Sequence, residues 1–163
     1  MKHLKTLPLI ASLIIITGCS TSNNVSTYSP QAKLYGLWHC NLSLEEEGVK
    51  MAMDYEVNYV RNGKANGFGT LTFKAPELPE MEYSMAGSSN WEYQNGYLIE
   101  TSTEIKLVNL SHPEFDEVFN LESMFPQNIS ESSEVLVLNN SLLKLKSESD
   151  GTVYSCDKVA HKS

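Results

Sequence analysis

The chain has 163 residues, with 20 acidic side chains against 12 basic ones and a formal net charge of −8. Such a surface repels phosphate, which argues against nucleic acid as a partner. The length is one domain's worth of chain, enough to bury a real core.

Lys2 and Lys5 open the chain with positive charge, and Leu7 to Ile16 is apolar apart from Pro8 and Ser12. That run has the length of a secretory signal's apolar region and falls short of the roughly 20 residues a spanning helix needs. The junction Ile16-Thr17-Gly18-Cys19 resembles the lipobox of bacterial lipoproteins. The resemblance implies a signal peptide over residues 1–18, removed on maturation, and lipid attachment at Cys19. Ser20, rather than Asp, is similar to the pattern sent to the outer membrane. The expected address is therefore the bacterial cell envelope, at the periplasmic face of the outer membrane. There the lipid makes the membrane a partner, at about 0.8 kcal/mol per buried methylene. Removing Lys2 and Lys5 with the signal leaves 10 basic against 20 acidic residues, a mature net charge of −10.

With Cys19 acylated, Cys40 and Cys156 have one intramolecular pairing open to them, in a compartment where disulfides persist. Zinc is the rival use of these residues. His39 and Cys40 are neighbours, but there is no Cys-x-x-Cys and no second nearby His, so no metal is expected. Residues 19–33 are rich in Ser, Thr and Asn and lack periodicity, which predicts a flexible tether. The folded domain is expected over residues 34–159.

From Leu37 onward the pattern has period two, the signature of strands with one buried face. Trp38, Cys40, Leu42 and Leu44 share a face of the first strand. In the second, Met51, Met53, Tyr55, Val57 and Tyr59 alternate with polar or small residues. Asn62-Gly63 then predicts a tight hairpin turn. Gly69, Leu71 and Phe73 face inward on the third strand, which Pro76 and Pro79 end. The fourth carries Tyr83, Met85, Trp91 and Tyr93 on one side, with a break at Gly87-Ser88. Asn95-Gly96 is a second hairpin signal. In the fifth strand Tyr97, Ile99, Thr101, Thr103 and Ile105 are expected on one face, opposite Glu100, Ser102, Glu104 and Lys106.

The period changes after Leu110. Phe115, Val118, Phe119 and Met124 fall near helical spacing, with Pro113 in the first turn, and predict one short helix over 113–124. Strands resume at Glu134–Leu138, Leu142–Ser147 and Thr152–Lys158.

Eight strands in one open sheet leave two exposed edges, and closing the sheet removes them. A Cys40–Cys156 bond would join the first strand to the last, which is barrel closure. Gly36-Leu37-Trp38 on the first strand resembles the Gly-x-Trp of lipocalin-like, or calycin, barrels, and the hairpin meander after it is similar. The resemblance implies an all-β, antiparallel eight-stranded lipocalin-like barrel, here with one short helix before the last three strands.

No catalytic motif stands out. Ala86-Gly87-Ser88-Ser89-Asn90 lacks the second Gly of a nucleophile elbow. GKANGFGT at 63–70 lacks Lys before its Thr and leads into a strand, unlike a phosphate loop. His39, His112 and His161 stand apart, and the strand carboxylates Asp54, Glu56, Glu100 and Glu104 are expected outside. A non-catalytic protein without a cofactor is the expectation.

What remains is the inward set Trp38, Met53, Tyr55, Tyr59, Tyr83, Met85, Trp91 and Tyr97. A polarizable interior with hydroxyl handles suits a small amphipathic or hydrophobic ligand. Equally, an eight-stranded barrel is narrow enough for its own side chains to fill. In that second reading the protein is an accessory subunit of an envelope assembly or membrane sensor. Its contact with an envelope protein partner would then fall on Phe115, Phe119, Met124 and Phe125.

Overall fold

The computed structural model describes residues 29–117, 120–125 and 127–160. Cys19, the signal segment, Val118, Phe119 and His161 lie outside the described residues. Eight strands pair in sequence order into a closed antiparallel barrel: β1 (Gly36–Glu46), β2 (Val49–Tyr59), β3 (Lys64–Lys74), β4 (Met81–Gln94), β5 (Tyr97–Asn109), β6 (Ser130–Leu138), β7 (Leu142–Ser147) and β8 (Val153–Lys158). The meander follows from the turn chemistry. At Asn95-Gly96 both residues take positive φ, 54° and 88°, as a two-residue hairpin between right-twisted strands requires. At Asn62-Gly63 only Gly63 does, and the turn is one residue longer, closed by Val60 and Lys64.

Closure runs through β1 and β8, which pair over Trp38–Asn41 and Ser155–Lys158. Cys40 and Cys156 stand directly opposite and form a disulfide with Cα atoms 4.1 Å apart. Val159 N–H donates to the Leu37 carbonyl at 3.0 Å, so three residues further along β1 Cys40 and Cys156 fall at a closely spaced, non-hydrogen-bonded pair, where side chains approach most.

Two apolar clusters fill the two ends. At one, Leu34, Trp38, Val57, Tyr59, Trp91, Leu98, Leu143 and Leu145 surround the disulfide. This end is capped by a short helix, α1 (Gln31–Leu34). Its Leu34 is fully buried and its carbonyl accepts the Trp38 indole N–H at 2.7 Å. Lys158 Nζ lies 4.4 Å above the Trp38 ring and donates to the Lys33 and Tyr35 carbonyls. At the other end Leu71, Phe73, Met81, Tyr83 and Leu121 pack with Met51, Met53, Leu107, Phe115 and Phe125.

Two expectations are corrected. The segment 113–124 is not one helix. It holds two 3-10 turns, Pro113–Phe115 and Leu121–Met124, and among the described residues the α-helix is α1, which begins in the stretch read as tether. The Asn109 amide breaks helical continuity by binding the His112 carbonyl and Asp116 Oδ1, while its own carbonyl accepts from His112 N. Second, the faces of β5 are reversed over its first half. Leu98, Glu100 and Ser102 point inward, and Tyr97 shares the outer face with its exposed partners Gln94 and Glu134. The register against β4 slips between Ser88/Ser89, leaving Thr103 as the extra residue of a bulge. Beyond it Ile105, Leu107 and Asn109 turn inward. A bulge re-aims every side chain after it, and it puts a carboxylate inside the barrel.

Candidate functional site: an interior chamber

Between the two apolar clusters the barrel is hollow. The cavity measures about 390 Å³, within the range of small-molecule sites, roughly 300–1,000 Å³. Its origin is visible in the strands. At mid-height the inward positions of β3 and β4 include Gly67, Gly87 and Ser89, where the strands above and below carry Leu71, Phe73, Tyr83 and Trp91. Side chains that would meet on the barrel axis are missing at that level, so the interior cannot close on itself.

The chamber's lining is mixed. Val57, Met85, Ile105, Met124, Phe125 and Ile129 contribute apolar surface, and Tyr55, Ser89, Glu100, Ser102, Glu131, Ser133 and Tyr154 contribute hydroxyls and carboxylates. Its mouth lies where β5 and β6 part. They pair only over Tyr97–Thr101 and Ser130–Glu134, and Met124, Phe125 and Ile129 of the connection between them line the chamber. Backbone bonds from Asn128 to Ser102 and from Ser102 to Ile129 pin that connection to β5. Met124 and Ile129 sit at the opening, each more than half exposed.

Glu100 dominates the electrostatics. The Tyr59 hydroxyl donates to its Oε2 at 3.1 Å and Ser89 Oγ to its Oε1 at 3.5 Å. Burial outweighs both bonds and, with the charge of Glu131 beside it, pushes the carboxyl up to about 7. Loss of hydration disfavours the ionised form, and two hydroxyl donors do not replace a water shell. The Tyr59 hydroxyl is pushed well up, first by burial and then by Glu100, and Tyr55 by burial and its neighbour Tyr154. Tyr154 moves up for the same two reasons, burial and Glu100. All three phenols are therefore neutral donors at physiological pH. Glu131 is met by Ser147 Oγ at 2.7 Å and Ser149 Oγ at 3.0 Å. Ser102 Oγ is buried without a hydrogen-bond partner.

Of the aromatic and Met residues expected inside, Tyr55 and Met85 line the chamber and Tyr59 reaches it through its hydroxyl. Trp38 and Trp91 are floor. The Trp91 indole donates to the Val60 and Lys64 carbonyls at 3.1 and 3.0 Å, with the Tyr59 and Tyr35 rings edge-on at 5.3 and 5.8 Å. Tyr83 belongs to the opposite end, where Asn109 donates to its hydroxyl at 3.3 Å. Tyr97 is outside. On the 110–129 connection, Phe115 and Phe125 pack inward on the second cluster, and Met124 is exposed at the mouth. Residues the sequence reading missed are Glu100, Glu131, Ser102, Ser133 and, as a chamber residue, Tyr154. Alternating Gly and Ser on β3 and β4 was the available signal.

A groove of about 360 Å³ on the outer wall runs along Asn41, Ser43, Ala52, Asp54, Thr70 and Thr72. Beside it His39 Nε2 meets Asp54 Oδ1 at 2.6 Å. Among the described residues no group of His, Cys, Asp and Glu side chains is arranged to hold a metal ion. No protein-family model matches the chain, and no curated protein matches it in sequence.

Proposed function

We propose that this protein is a non-catalytic, lipid-anchored component of the bacterial envelope whose barrel holds a small amphipathic ligand. The observation that carries the reading is the hollow interior, lined by apolar side chains together with a set of hydroxyls and carboxylates. That mixture suits a ligand with a hydrocarbon body and a polar head. Anchoring rests on the Ile16-Thr17-Gly18-Cys19 junction and the apolar run before it. Against the reading of a filled barrel acting only as an interaction subunit stand the open interior and the inward packing of Phe115 and Phe125.

Native mass spectrometry of the protein taken from its own membrane tests both halves at once. The expected spectrum carries the acyl mass at Cys19 and a small molecule that leaves on collisional heating. A chain still bearing residues 1–18, with no bound molecule and a stoichiometric protein partner instead, would overturn the reading.

A further inference from the structure

We propose that the chamber selects ligands with a cationic amine head, received by the Glu100 carboxylate and the Ser102 hydroxyl. This rests on the reading of the chamber as a ligand site and adds the chemical class of the ligand.

The charged side chains lining the chamber are all acidic. They are Glu100, Glu104 and Glu131, and no Lys, Arg or His lines it among the described residues. Lys158 points to the far end, held by the Lys33 and Tyr35 carbonyls beneath Trp38. The hydrogen-bonding capacity is correspondingly lopsided. A carboxylate offers about four acceptor positions, and Glu100 uses two, on Tyr59 and Ser89. Ser102 Oγ, two residues along the same inward face, is buried and unbonded. A buried hydroxyl without a partner is costly, so this atom marks a place for a polar group from outside the chain. An ammonium brings three donors and no acceptor, and it fits one ionised acceptor and one neutral one. An anionic head would face Glu100 and Glu131 with no counter-charge. A neutral alcohol would offer one donor and leave the carboxylate uncompensated.

Binding of an ammonium must be coupled to a proton. Burial holds Glu100 up at about 7, so below that pH the free protein carries a neutral acid whose proton must leave to solvent as the ammonium binds. The other ionisable groups facing it are Tyr55 and Tyr59 on β2, Glu131 on β6 and Tyr154 on β8. The three phenols stay neutral across the range. Affinity for an amine is then flat above about pH 7 and falls about tenfold for each pH unit below it.

The test uses the full chain and three probes of one chain length: octylamine, octan-1-ol and octanoate. Titration calorimetry at pH 8 should rank octylamine above octanol by about tenfold or more, a charge-assisted bond against a neutral one, with octanoate weakest. At pH 6 in buffers of different ionisation enthalpy, octylamine should release close to one proton and octanol none. Glu100→Gln should cut the octylamine-to-octanol affinity ratio about tenfold and abolish the proton release. The proton count on the unaltered chain needs no variant, so a misfolded substitution does not blunt the test. Equal binding of octylamine and octanol without a pH slope, or a preference for octanoate, overturns the cationic assignment and leaves the chamber reading standing. Binding of none of the three overturns both.

Discussion

Replacing Glu100 by Gln should raise stability at neutral pH and leave it nearly unchanged in acid. The magnitude follows from the buried carboxyl. Its ordinary value is 4.5 and the fold raises it to about 7. The folded state therefore keeps a proton that the unfolded chain gives up, and stability falls as pH rises between those two values. At about 1.4 kcal/mol per tenfold, the carboxyl's contribution is fully present below about pH 4.5, and about 3 kcal/mol is lost by pH 8. Gln keeps the shape and an acceptor for the Tyr59 hydroxyl but cannot ionise. Urea unfolding of both proteins at pH 4 and pH 8, disulfide intact, reads the difference directly. The two should unfold at similar urea concentrations at pH 4, and the variant should be the more stable by about 2–3 kcal/mol at pH 8. A gap between them that does not change with pH would mean that Glu100 is hydrated, and would refute the argument from burial.

Three further outcomes follow from the barrel's construction. Replacing Cys40 and Cys156 together by Ser opens a closure spanning 116 residues and should cost roughly 4–5 kcal/mol on the chain-entropy model, read as a lowered urea midpoint under oxidising conditions. Gly69→Ala should destabilise by roughly 1–3 kcal/mol, because its added carbon falls on the Asp54 carbonyl oxygen and 2.5 Å from Tyr55 Cα; an unchanged midpoint would contradict that packing. Gly87→Val meets nothing nearer than 3.4 Å with its first carbon and suits a strand. It should leave the midpoint within about 1 kcal/mol while narrowing the chamber, so octylamine affinity drops in calorimetry.

Much of the architecture was legible because strands, turns and cysteines each speak through local chemistry. Alternation placed β1 to β4 on their correct faces, and Asn95-Gly96 fixed a hairpin. The pairing of Cys40 with Cys156 tied the first strand to the last. The fifth strand was misread because periodicity alone cannot register a bulge. One extra residue at Thr103 inverts the phase, and the β-branched, aromatic face that looked like core, from Tyr97 to Thr101, is the outer one. That inversion hid Glu100. The helix expected over 113–124 failed for a related reason. Phe115, Leu121 and Phe125 there pack on the barrel end, and Asn109 and Asn120 satisfy the His112 carbonyl and the Ser123 N–H, backbone groups that a continuous helix would have used. Aromatic residues drew attention to the interior, but Trp38, Tyr59, Phe73, Tyr83 and Trp91 fill the ends. The hollow was written in the small residues between them.

The most direct test is a nuclear magnetic resonance map of the full chain titrated with octylamine at pH 8. Amide shifts concentrated at Tyr55, Gly67, Met85, Ser102, Ile105 and Ser133, all lining the chamber, are the predicted result. Shifts confined to the outer groove at Asn41, Ala52, Asp54 and Thr70, or a spectrum that does not move, would contradict a ligand-holding interior.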